Sequence, residues 1–264
     1  MNKPLRWLVV ISILLCVHTG KADNTNPNDT IKTYNIDEVV ITSSTKETNA
    51  FRTLPGSVSV ISPQAINGRQ IDALKDISSF VPNLYIPDYG AKLTSAIYIR
   101  GIGARSSGQT VGLYVDNVPY PDKSTFDFEL TDIQRIEVFR GPQGTLYGRN
   151  AIGGIINIYT LSPFDFQGTK LSLSGGNYGQ LKAKASHYRK LGENVGVSLS
   201  GYYDRNDGFF KNIYTGKSAD PEESAGGRFR LDWRVTPRFS AAYTLSYDHV
   251  NQGAFPYRFY NKET

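Results

Sequence analysis

The feature that most constrains this chain is a strict alternation of apolar and polar residues beyond Gln167. Every second residue of Phe229–Val235 is apolar, and every intervening residue is charged. The same period recurs over 195–203 and 239–247. Successive side chains of a strand point to opposite faces, so a period of two indicates strands whose two faces meet different surroundings. We expect one face to meet apolar material and the other to meet water.

Alternation of this kind fits a soluble β-sandwich as well as a membrane β-barrel. A barrel is favoured by segments of about ten residues with aromatic residues near their ends, and by short turns that alternate with a longer polar loop. Short turns are predicted at Leu191–Asn194 and Thr236–Arg238, and the long loop at Lys211–Ser224. The 25 Gly and 17 Tyr, against one Met and one Cys, suit strands and tight turns. We therefore predict five strands in residues 161–264.

In the preceding segment, residues 54–160, the apolar residues have no uniform period, and the mixed pattern predicts a small α+β domain. Ser62 followed by Pro63 indicates the start of a helix, because Ser caps a helix and Pro fits its first turn. A second short helix is predicted at Ala73–Phe80, where apolar residues fall at helical spacing before Pro82. Strands are expected at 58–61, 96–100, 111–115, 133–139 and 155–159.

The N-terminus has the three parts of a secretory signal peptide: basic Lys3 and Arg6, an apolar run over 7–17, and small residues around Ala22. The apolar run is well short of the roughly 20 residues that a membrane-spanning helix needs. A lipoprotein signal at Cys16 is disfavoured by the bulky Leu15. We expect residues 1–22 to be removed.

Removal of the signal takes away three basic residues and no acidic one, so the formal net charge of the chain falls from +5 to +2. The remaining charges are interspersed and form no basic run, which argues against a nucleic-acid partner. The only cysteine also leaves with the signal, so neither a disulfide framework nor a thiolate metal site is predicted.

The mature N-terminus, residues 23–53, begins with a polar stretch that we expect to be flexible. It is followed by one β-favouring run between polar neighbours, Asp37-Glu38-Val39-Val40-Ile41-Thr42. A strand without a neighbour in sequence is expected to find its partner elsewhere. The alternative is an ordinary edge strand of the following domain.

A long glycine-rich run reads Arg140-Gly-Pro-Gln-Gly-Thr-Leu-Tyr-Gly-Arg-Asn-Ala-Ile-Gly-Gly-Ile-Ile-Asn-Ile158. It resembles the plug-domain signature of TonB-dependent outer-membrane receptors. Three further stretches resemble that family in the same order: 37–42 its TonB box, 99–103 its central plug strand, and 111–120 the strand and loop that follow. The resemblance implies an α+β plug domain followed by antiparallel strands of an incomplete transmembrane β-barrel.

The resemblance also implies a location and partners. These are the outer membrane of a Gram-negative bacterium, TonB with its inner-membrane energising complex, and a ferric siderophore or similar scarce solute. TonB would pair with residues 37–42, since an extended segment can add to a partner's sheet edge through backbone hydrogen bonds. Arg100 and Arg140 match family positions that lock the plug to barrel glutamates. Either arginine is otherwise simply exposed to solvent.

The predicted ligand contacts lie on three apical plug loops, at 87–95, 104–110 and 119–126. They carry Tyr89, Lys92, Arg105, Tyr120 and Lys123, of which Tyr89, Arg105 and Tyr120 are the chosen candidates. Aromatic faces beside cations suit an anionic, partly aromatic iron chelate. The alternative is that these loops are polar only because they are exposed.

No catalytic pattern accompanies this resemblance. The glycines of 140–158 lack the Lys-Ser/Thr ending of a phosphate-binding loop, and neither a zinc-protease helix motif nor a nucleophile elbow is present. The two histidines left after signal removal, His187 and His249, lie far apart in strand segments. We therefore expect no enzyme activity, no metal site and no resident cofactor.

Three functions remain open at this stage. They are ferric-siderophore uptake, uptake of cobalamin, haem or an oligosaccharide, and a transport-dead product that only binds TonB. The third arises because a barrel that holds a plug has about 22 strands, and five cannot close one.

Overall fold

The computed structural model describes residues 40–43, 47–50, 57–92, 96–104, 108–122, 126, 129–236 and 238–253. Within the part from residue 57 onward, a mixed domain extends to residue 160 and is followed by five long strands, which we call the strand array. None of the helices in the described ranges is long and apolar enough to cross a membrane.

The centre of the mixed domain is a five-stranded sheet in the order β3-β9-β10-β7-β8. β10 runs antiparallel to β9 and parallel to β7, with Ile156 opposite both Val138 and Leu113. β7 and β10 are nearly continuous apolar runs because both of their faces are covered. The strands are β3 (Ser57–Ile61), β7 (Val111–Val115), β8 (Val118–Pro119), β9 (Ile133–Arg140) and β10 (Gly154–Thr160).

Three short helices cover this sheet, and the first two begin where the sequence predicts. In α1 (Pro63–Gly68), the Ser62 hydroxyl accepts a hydrogen bond from the Ala65 N–H. The second is a 3₁₀ helix, Leu74–Ser79, whose Asp76 carboxylate accepts hydrogen bonds from the N–H groups of Asp72 and Ala73. The third, α2 (Gly144–Tyr147), lies in the signature run and was not predicted.

The strand predicted at 96–100 is wrong in extent, because the chain reverses at Arg100 and Gly101. Both residues have positive φ, 53° and 79°, which suits the tight turn of a two-residue hairpin. The result is a small separate sheet, β4-β5-β6, of β4 (Leu84–Tyr85), β5 (Tyr98–Ile99) and β6 (Ile102–Gly103). The run 99–103 is therefore a hairpin and not a central plug strand.

The main core lies on one face of the five-stranded sheet, between it and the two N-terminal helices. Leu74 and Ile77 from the 3₁₀ helix meet Ile136, Ile156 and Ile158 from the central strands, and all five are essentially inaccessible to solvent. Each such side chain contributes about 1.5–3 kcal/mol when it is fully removed from water. The other face carries a smaller cluster around Phe139 and Ile155.

The strand array confirms the five predicted strands, and neighbouring strands pair antiparallel in chain order. Leu171, Leu199 and Tyr243 on one face are exposed, whereas Tyr188 and Asp232 on the other face are buried against the mixed domain. The strands are β11 (Gly168–Gly175), β12 (Leu181–Lys190), β13 (Val195–Asn206), β14 (Glu222–Thr236) and β15 (Phe239–Gln252).

The connections of the array leave long and short loops at opposite ends. The predicted turns after β12 and β14 are present, and the long loop occupies 207–221, slightly earlier than predicted because β14 already begins at Glu222. This loop lies at the same end as the turn 176–180, since the Asp207 N–H donates to the Tyr178 carbonyl over 2.8 Å. We call this the long-loop end of the array.

The β-favouring run near the N-terminus has a partner close in sequence, which corrects the expectation that it has none. β1 (Val40–Ser43) pairs antiparallel with β2 (Glu47–Ala50), with Val40 opposite Ala50 and Ser43 opposite Glu47. The sequence analysis overlooked β2 because its residues are mostly polar. Strand pairing is made by backbone groups and does not require apolar side chains.

Candidate functional site

The candidate functional site is the surface where the mixed domain meets the inner face of β12–β15. Three clusters of charged side chains span it: a lysine cluster on β12, an arginine cluster on β14, and an apical cluster at the long-loop end. The sequence analysis expected this charged face to meet water. The structure shows instead that the charges of β12 and β14 pair with the mixed domain.

The lysine cluster joins β12 to the segments before the 3₁₀ helix and before β9. Lys184 Nζ lies 2.6 Å from Asp72 Oδ1, and Lys182 Nζ lies 3.3 Å from Asp72 Oδ2. Lys182 Nζ also contacts Glu129 Oε2 at 3.4 Å and Asp204 Oδ2, on β13, at 3.0 Å. Lys182, Glu129 and Asp204 are largely buried, so these charges are desolvated and depend on one another.

The pKa values of the two acidic groups that the mixed domain contributes to this cluster are shifted in opposite directions. Burial alone would raise the pKa of Asp72, but the hydrogen bond from Lys184 and the charges of Lys184 and Lys182 outweigh burial and lower that pKa from its ordinary 3.8. Glu129 is more deeply buried, and burial raises its pKa above the ordinary value despite the same two lysines. The cluster therefore stabilises the ionised form of Asp72, and we assign to this carboxylate the charge that fastens the mixed domain to β12.

The arginine cluster joins β14 to the ends of β7 and β10. Arg230 Nη1 lies 2.9 Å from Asp116 Oδ2, and Arg230 Nε lies 2.7 Å from Asp232 Oδ1. Arg230 Nη1 also donates to Thr160 Oγ1 over 2.6 Å, and Asp116 accepts from the N–H and hydroxyl of Thr160. One guanidinium is thus shared by two carboxylates, Asp116 and Asp232, at the point where the mixed domain ends.

The apical cluster lies at the long-loop end. Lys92 Nζ contacts Glu222 Oε1 at 2.8 Å, and its backbone N–H donates to Gln252 Oε1 over 3.1 Å. Gln252 Nε2 in turn donates to Glu222 Oε2 over 3.2 Å. The loop that contains Lys92 is therefore fixed to the ends of β14 and β15.

The interface is polar and not close-packed. A cavity of roughly 680 Å³ lies between the mixed domain and β11–β12. Asp132 and Gln134 line it from one side, and Lys170, Ser172 and Ser174 from the other. Separation of such surfaces exposes groups that water can solvate, so it costs less than separation of an apolar core.

Comparison with known proteins gives this architecture a family. The family description "TonB-dependent Receptor Plug Domain" matches residues 50–155. Residues 50–155 are thus a plug domain of the TonB-dependent receptor type, as the sequence predicted. The family's receptors are proteins of the Gram-negative outer membrane, as the sequence analysis predicted.

Individual relatives agree with the family match. The vitamin B12 transporter BtuB of Vibrio vulnificus is 29% identical over 220 residues, which are 79% of this chain and 33% of BtuB. The pesticin receptor of Yersinia pestis is 37% identical over 127 residues, which are 47% of this chain and 19% of that receptor.

Among solved structures, the ferric yersiniabactin uptake receptor FyuA of Y. pestis matches with a TM-score of 0.65 and 28% identity. The match covers 73% of this chain and 31% of FyuA. The chain thus spans about a third or less of the length of these three relatives.

The two predicted lock arginines lie together at one corner of the plug. Arg140 ends β9, and its Nη1 donates to the Pro82 carbonyl over 3.2 Å, while the Arg100 N–H donates to the next carbonyl, that of Asn83, over 2.8 Å. The Arg140 Nε is buried and has no acceptor among the described residues. Neither arginine has a carboxylate partner in the described ranges, so the lock to barrel glutamates stays a prediction.

The structure separates the three candidate ligand residues. Tyr89 is half-buried on the same loop as Lys92, at the long-loop end. Tyr120 is half-buried against the plug core and lines a small pocket with Arg228 and Asp248 of the array. Arg105 and Lys123 lie outside the described residues. The side chain of Lys92 is engaged with Glu222 and largely buried, so this lysine belongs to the plug-array interface.

Of the predicted TonB-binding residues, Val40, Ile41 and Thr42 form most of β1. Asp37, Glu38 and Val39 lie outside the described residues. In the described part of the chain, no group of three His, Cys, Asp or Glu residues is arranged to hold a metal ion.

Sequence reasoning missed Lys182, Lys184 and Arg230. The signal was present, because Lys182 and Lys184 alternate with Ala183 and Ala185, as Arg230 and Asp232 do with apolar residues. This alternation identified which side chains share a face of the strand, but not the groups of the mixed domain that they contact. Their partners in the mixed domain lie between 53 positions away in sequence, for Lys182 and Glu129, and 114 positions away, for Arg230 and Asp116.

The charge on Asp72 predicts acid-sensitive docking of the plug. Because the folded pKa of Asp72 is lowered, its contribution to stability is present above 3.8 and is lost as the pH falls through the folded pKa. In the wild-type chain refolded in detergent, we expect the plug to become protease-sensitive as the pH falls through the folded pKa of Asp72. Asp72→Asn should weaken docking at neutral pH and flatten this acid dependence.

A matched control is Asp165→Asn, which removes an exposed carboxylate elsewhere in the chain. It should leave the acid profile unchanged. Equal acid profiles for the wild type and Asp72→Asn would contradict the assignment of Asp72 as the fastening charge.

Proposed function

We propose that this chain serves TonB-dependent uptake of a ferric siderophore or a similar scarce solute across the outer membrane. The observation that carries the proposal is the plug docked, through three charged clusters, on consecutive strands whose opposite face is apolar and exposed. An apolar outer face with aromatic residues suits lipid, and a polar inner face suits a plug that must move.

The coupling part of the proposal rests on β1. TonB would take residues 37–42 as an added strand, in which backbone hydrogen bonds provide affinity with little demand on side chains. β1 already uses one edge to pair with β2. A second partner would have to occupy the other edge of β1 or displace β2.

The recognition part rests on the plug loop that contains Tyr89 and Lys92, at the long-loop end. The neighbouring loop 207–221 displays Phe209, Ile213 and Tyr214 to solvent, and the ring of Phe209 lies 4.5 Å from that of Tyr178. Exposed aromatic faces near cations suit an anionic, partly aromatic chelate. The match to FyuA supports a siderophore, and the match to BtuB makes vitamin B12 the second candidate.

The experiment that tests the proposal is an uptake panel with a chimaera in which this chain replaces the aligned part of FyuA. Ferric yersiniabactin, ferric enterobactin, ferripyoverdine and vitamin B12 would be supplied separately to cells that lack other receptors for them. We expect accumulation of one ferric siderophore, abolished by deletion of TonB. Accumulation of vitamin B12 alone would select the second candidate, and uptake without TonB would contradict the proposal.

A ligand-site prediction concerns Arg105 and Tyr120. In the chimaera, Arg105→Ala with Tyr120→Ala should weaken binding of the transported solute by about tenfold, which corresponds to roughly 1.4 kcal/mol. The amount of receptor in the membrane should not change. Tyr120→Phe is the control for packing, because it retains the ring that contacts the plug core. Unchanged affinity in the double variant would exclude these two residues as ligand contacts.

A further inference from the structure

The second face of the plug sheet carries a buried carboxyl group that the proposed function does not use. Glu137, on β9, has no exposed surface. Its Oε1 accepts a hydrogen bond from Arg135 Nε over 2.7 Å, while its Oε2 is buried without a hydrogen-bond partner in the described structure. A buried unpaired oxygen of this kind is costly, especially if it carries charge.

A second unpartnered oxygen lies on the residue directly opposite. Asn157 on β10 is the cross-strand partner of Glu137, and Asn157 Oδ1 is likewise buried without a donor in the described structure. Residues opposite each other in antiparallel strands have Cβ atoms about 4.5–5.5 Å apart, so their side-chain ends are within reach of each other. Two acceptors cannot satisfy one another unless one of them carries a proton.

The other end of Asn157 is attached to the signature run. Asn157 Nδ2 donates to the Tyr147 hydroxyl over 3.0 Å, and the Tyr114 hydroxyl donates to the Tyr147 carbonyl over 3.1 Å. Tyr147 ends α2, and its ring contacts that of Tyr114 with centroids 4.9 Å apart. The chain Glu137–Asn157–Tyr147 therefore connects the sheet to α2.

We propose that Glu137 is a neutral carboxylic acid in the folded plug and donates its proton to Asn157 Oδ1, which makes it a proton-dependent clasp for α2. One proton then satisfies both unpartnered oxygens. It also fixes the Asn157 amide with its NH₂ group toward Tyr147, so that loss of the proton would require this amide to rotate for α2 to stay attached.

The groups around Glu137 are compatible with the neutral form. Among the described residues, Arg135 is the one cation placed against Glu137, with its Nε 2.7 Å from Oε1. Its guanidinium also lies over the Tyr159 ring, 3.9 Å from the centroid, and donates to Gln134. Tyr114, Tyr147 and Tyr159 are the other titratable groups that the described structure places on this face, and burial raises the pKa of all three, so they stay neutral. Burial likewise raises the pKa of Glu137, and Arg135 offsets this only in part.

The competing arrangement is an ionised Glu137 that accepts a hydrogen bond from an Asn157 amide rotated by 180°. In that case the Tyr147 hydroxyl would donate to Asn157 Oδ1. Both arrangements satisfy every oxygen, but only the first contains a protonated carboxyl group. The two are therefore separated by detection of the proton.

The test compares the full chain, refolded in detergent, with Glu137→Gln. The infrared carbonyl-stretch band of protonated carboxylic acids should be present in the wild type at pH 7 and smaller by one group in Glu137→Gln. Glu193→Gln removes an exposed glutamate of the β12–β13 turn and should leave the band unchanged. An unchanged band in Glu137→Gln would overturn the proposal.

Stability gives an independent readout with a defined sign. Because the folded pKa of Glu137 lies above its ordinary 4.5, its contribution is present below that value and is lost as the pH rises through the folded pKa. We expect the urea midpoint of the wild type to fall, relative to that of Glu137→Gln, as the pH is raised. Parallel profiles would contradict the clasp.

If Glu137→Gln does not fold, the wild-type chain labelled with ¹³C at glutamate carboxyl carbons still decides the question. Titration should reveal a glutamate that remains protonated at pH 7. A Glu129→Gln chain identifies the signal of the other buried glutamate. Absence of any further protonated signal would overturn the proposal.

Discussion

Val40→Pro is expected to abolish TonB-dependent uptake while leaving binding of the solute at the cell surface intact. Proline removes the backbone N–H and restricts φ, so a strand added along residues 37–42 would lose a hydrogen bond and its regular extension. The measurement is accumulation of the transported solute by the FyuA chimaera, with and without an uncoupler of the proton-motive force. Accumulation by the variant should equal that of the unsubstituted chimaera in the presence of the uncoupler.

The hairpin supplies the matched control for this substitution. Thr48→Pro disturbs β2 opposite Thr42 but leaves every residue of 37–42 intact. If β1 acts by pairing with TonB, Thr48→Pro should take up solute at least as well as the unsubstituted chimaera. Equal loss of uptake in both variants would show that uptake requires the intact β1–β2 hairpin. Full uptake by Val40→Pro would refute the assignment of the TonB-binding strand.

Arg230→Ala is expected to detach the end of the plug from β14. The substitution leaves Asp116 and Asp232 close together without their shared cation, and both carboxylates are largely buried. Removal of one partner of a buried ion pair typically costs about 3–5 kcal/mol, and residual solvent contact here favours the lower end. The urea midpoint of the refolded chain and protection of the plug from protease should both fall.

Two further variants separate loss of the cluster from loss of charge. Arg205→Ala removes an arginine whose ion pair with Asp207 is exposed, so it should leave the midpoint unchanged. Arg230→Lys keeps the charge but cannot contact Asp116 and Asp232 through two separate nitrogens, so it should recover part of the loss. A midpoint for Arg230→Ala equal to that of Arg205→Ala would contradict the role of this cluster.

These results bear on how the plug can move. All three clusters attach it to the array through charged or polar groups, and a polar cavity lies beside the lysine cluster. The main core, by contrast, lies inside the plug, between its sheet and helices. A force that separates the plug from the array would therefore meet ion pairs that water can replace, before it meets the apolar core.

Local patterns in the sequence determined much of the secondary structure. The period of two predicted all five strands of the array, because a strand between unlike surroundings must alternate. Ser62 and Pro63 located the start of α1, because capping is decided by the residues at the helix end themselves. The long signature run predicted the plug, and the family match at residues 50–155 agrees with it.

Some local features were present in the sequence but were misinterpreted. Arg100-Gly101 is a turn signal, yet Ile99–Gly103 was taken as the central plug strand because it resembles that part of the receptor family. β2 was overlooked because Glu47–Ala50 is a weak strand former. At Glu47–Ala50, backbone hydrogen bonds decided the outcome against side-chain preference, whereas the positive φ angles at Arg100 and Gly101 follow the turn signal.

Only the tertiary structure decided which charges meet. Lys184 and Asp72 are 112 positions apart, and Arg230 and Thr160 are 70 apart, so no local pattern pairs them. The alternation places Arg230 on the inner face of β14, but the strand register and the position of the plug select Asp116 as its partner. The same holds for Glu137 and Asn157, whose two unpartnered oxygens become neighbours only when β9 and β10 pair in this register. Sequence fixes which groups a strand presents on each face, whereas desolvation and pairing depend on what packs against that face.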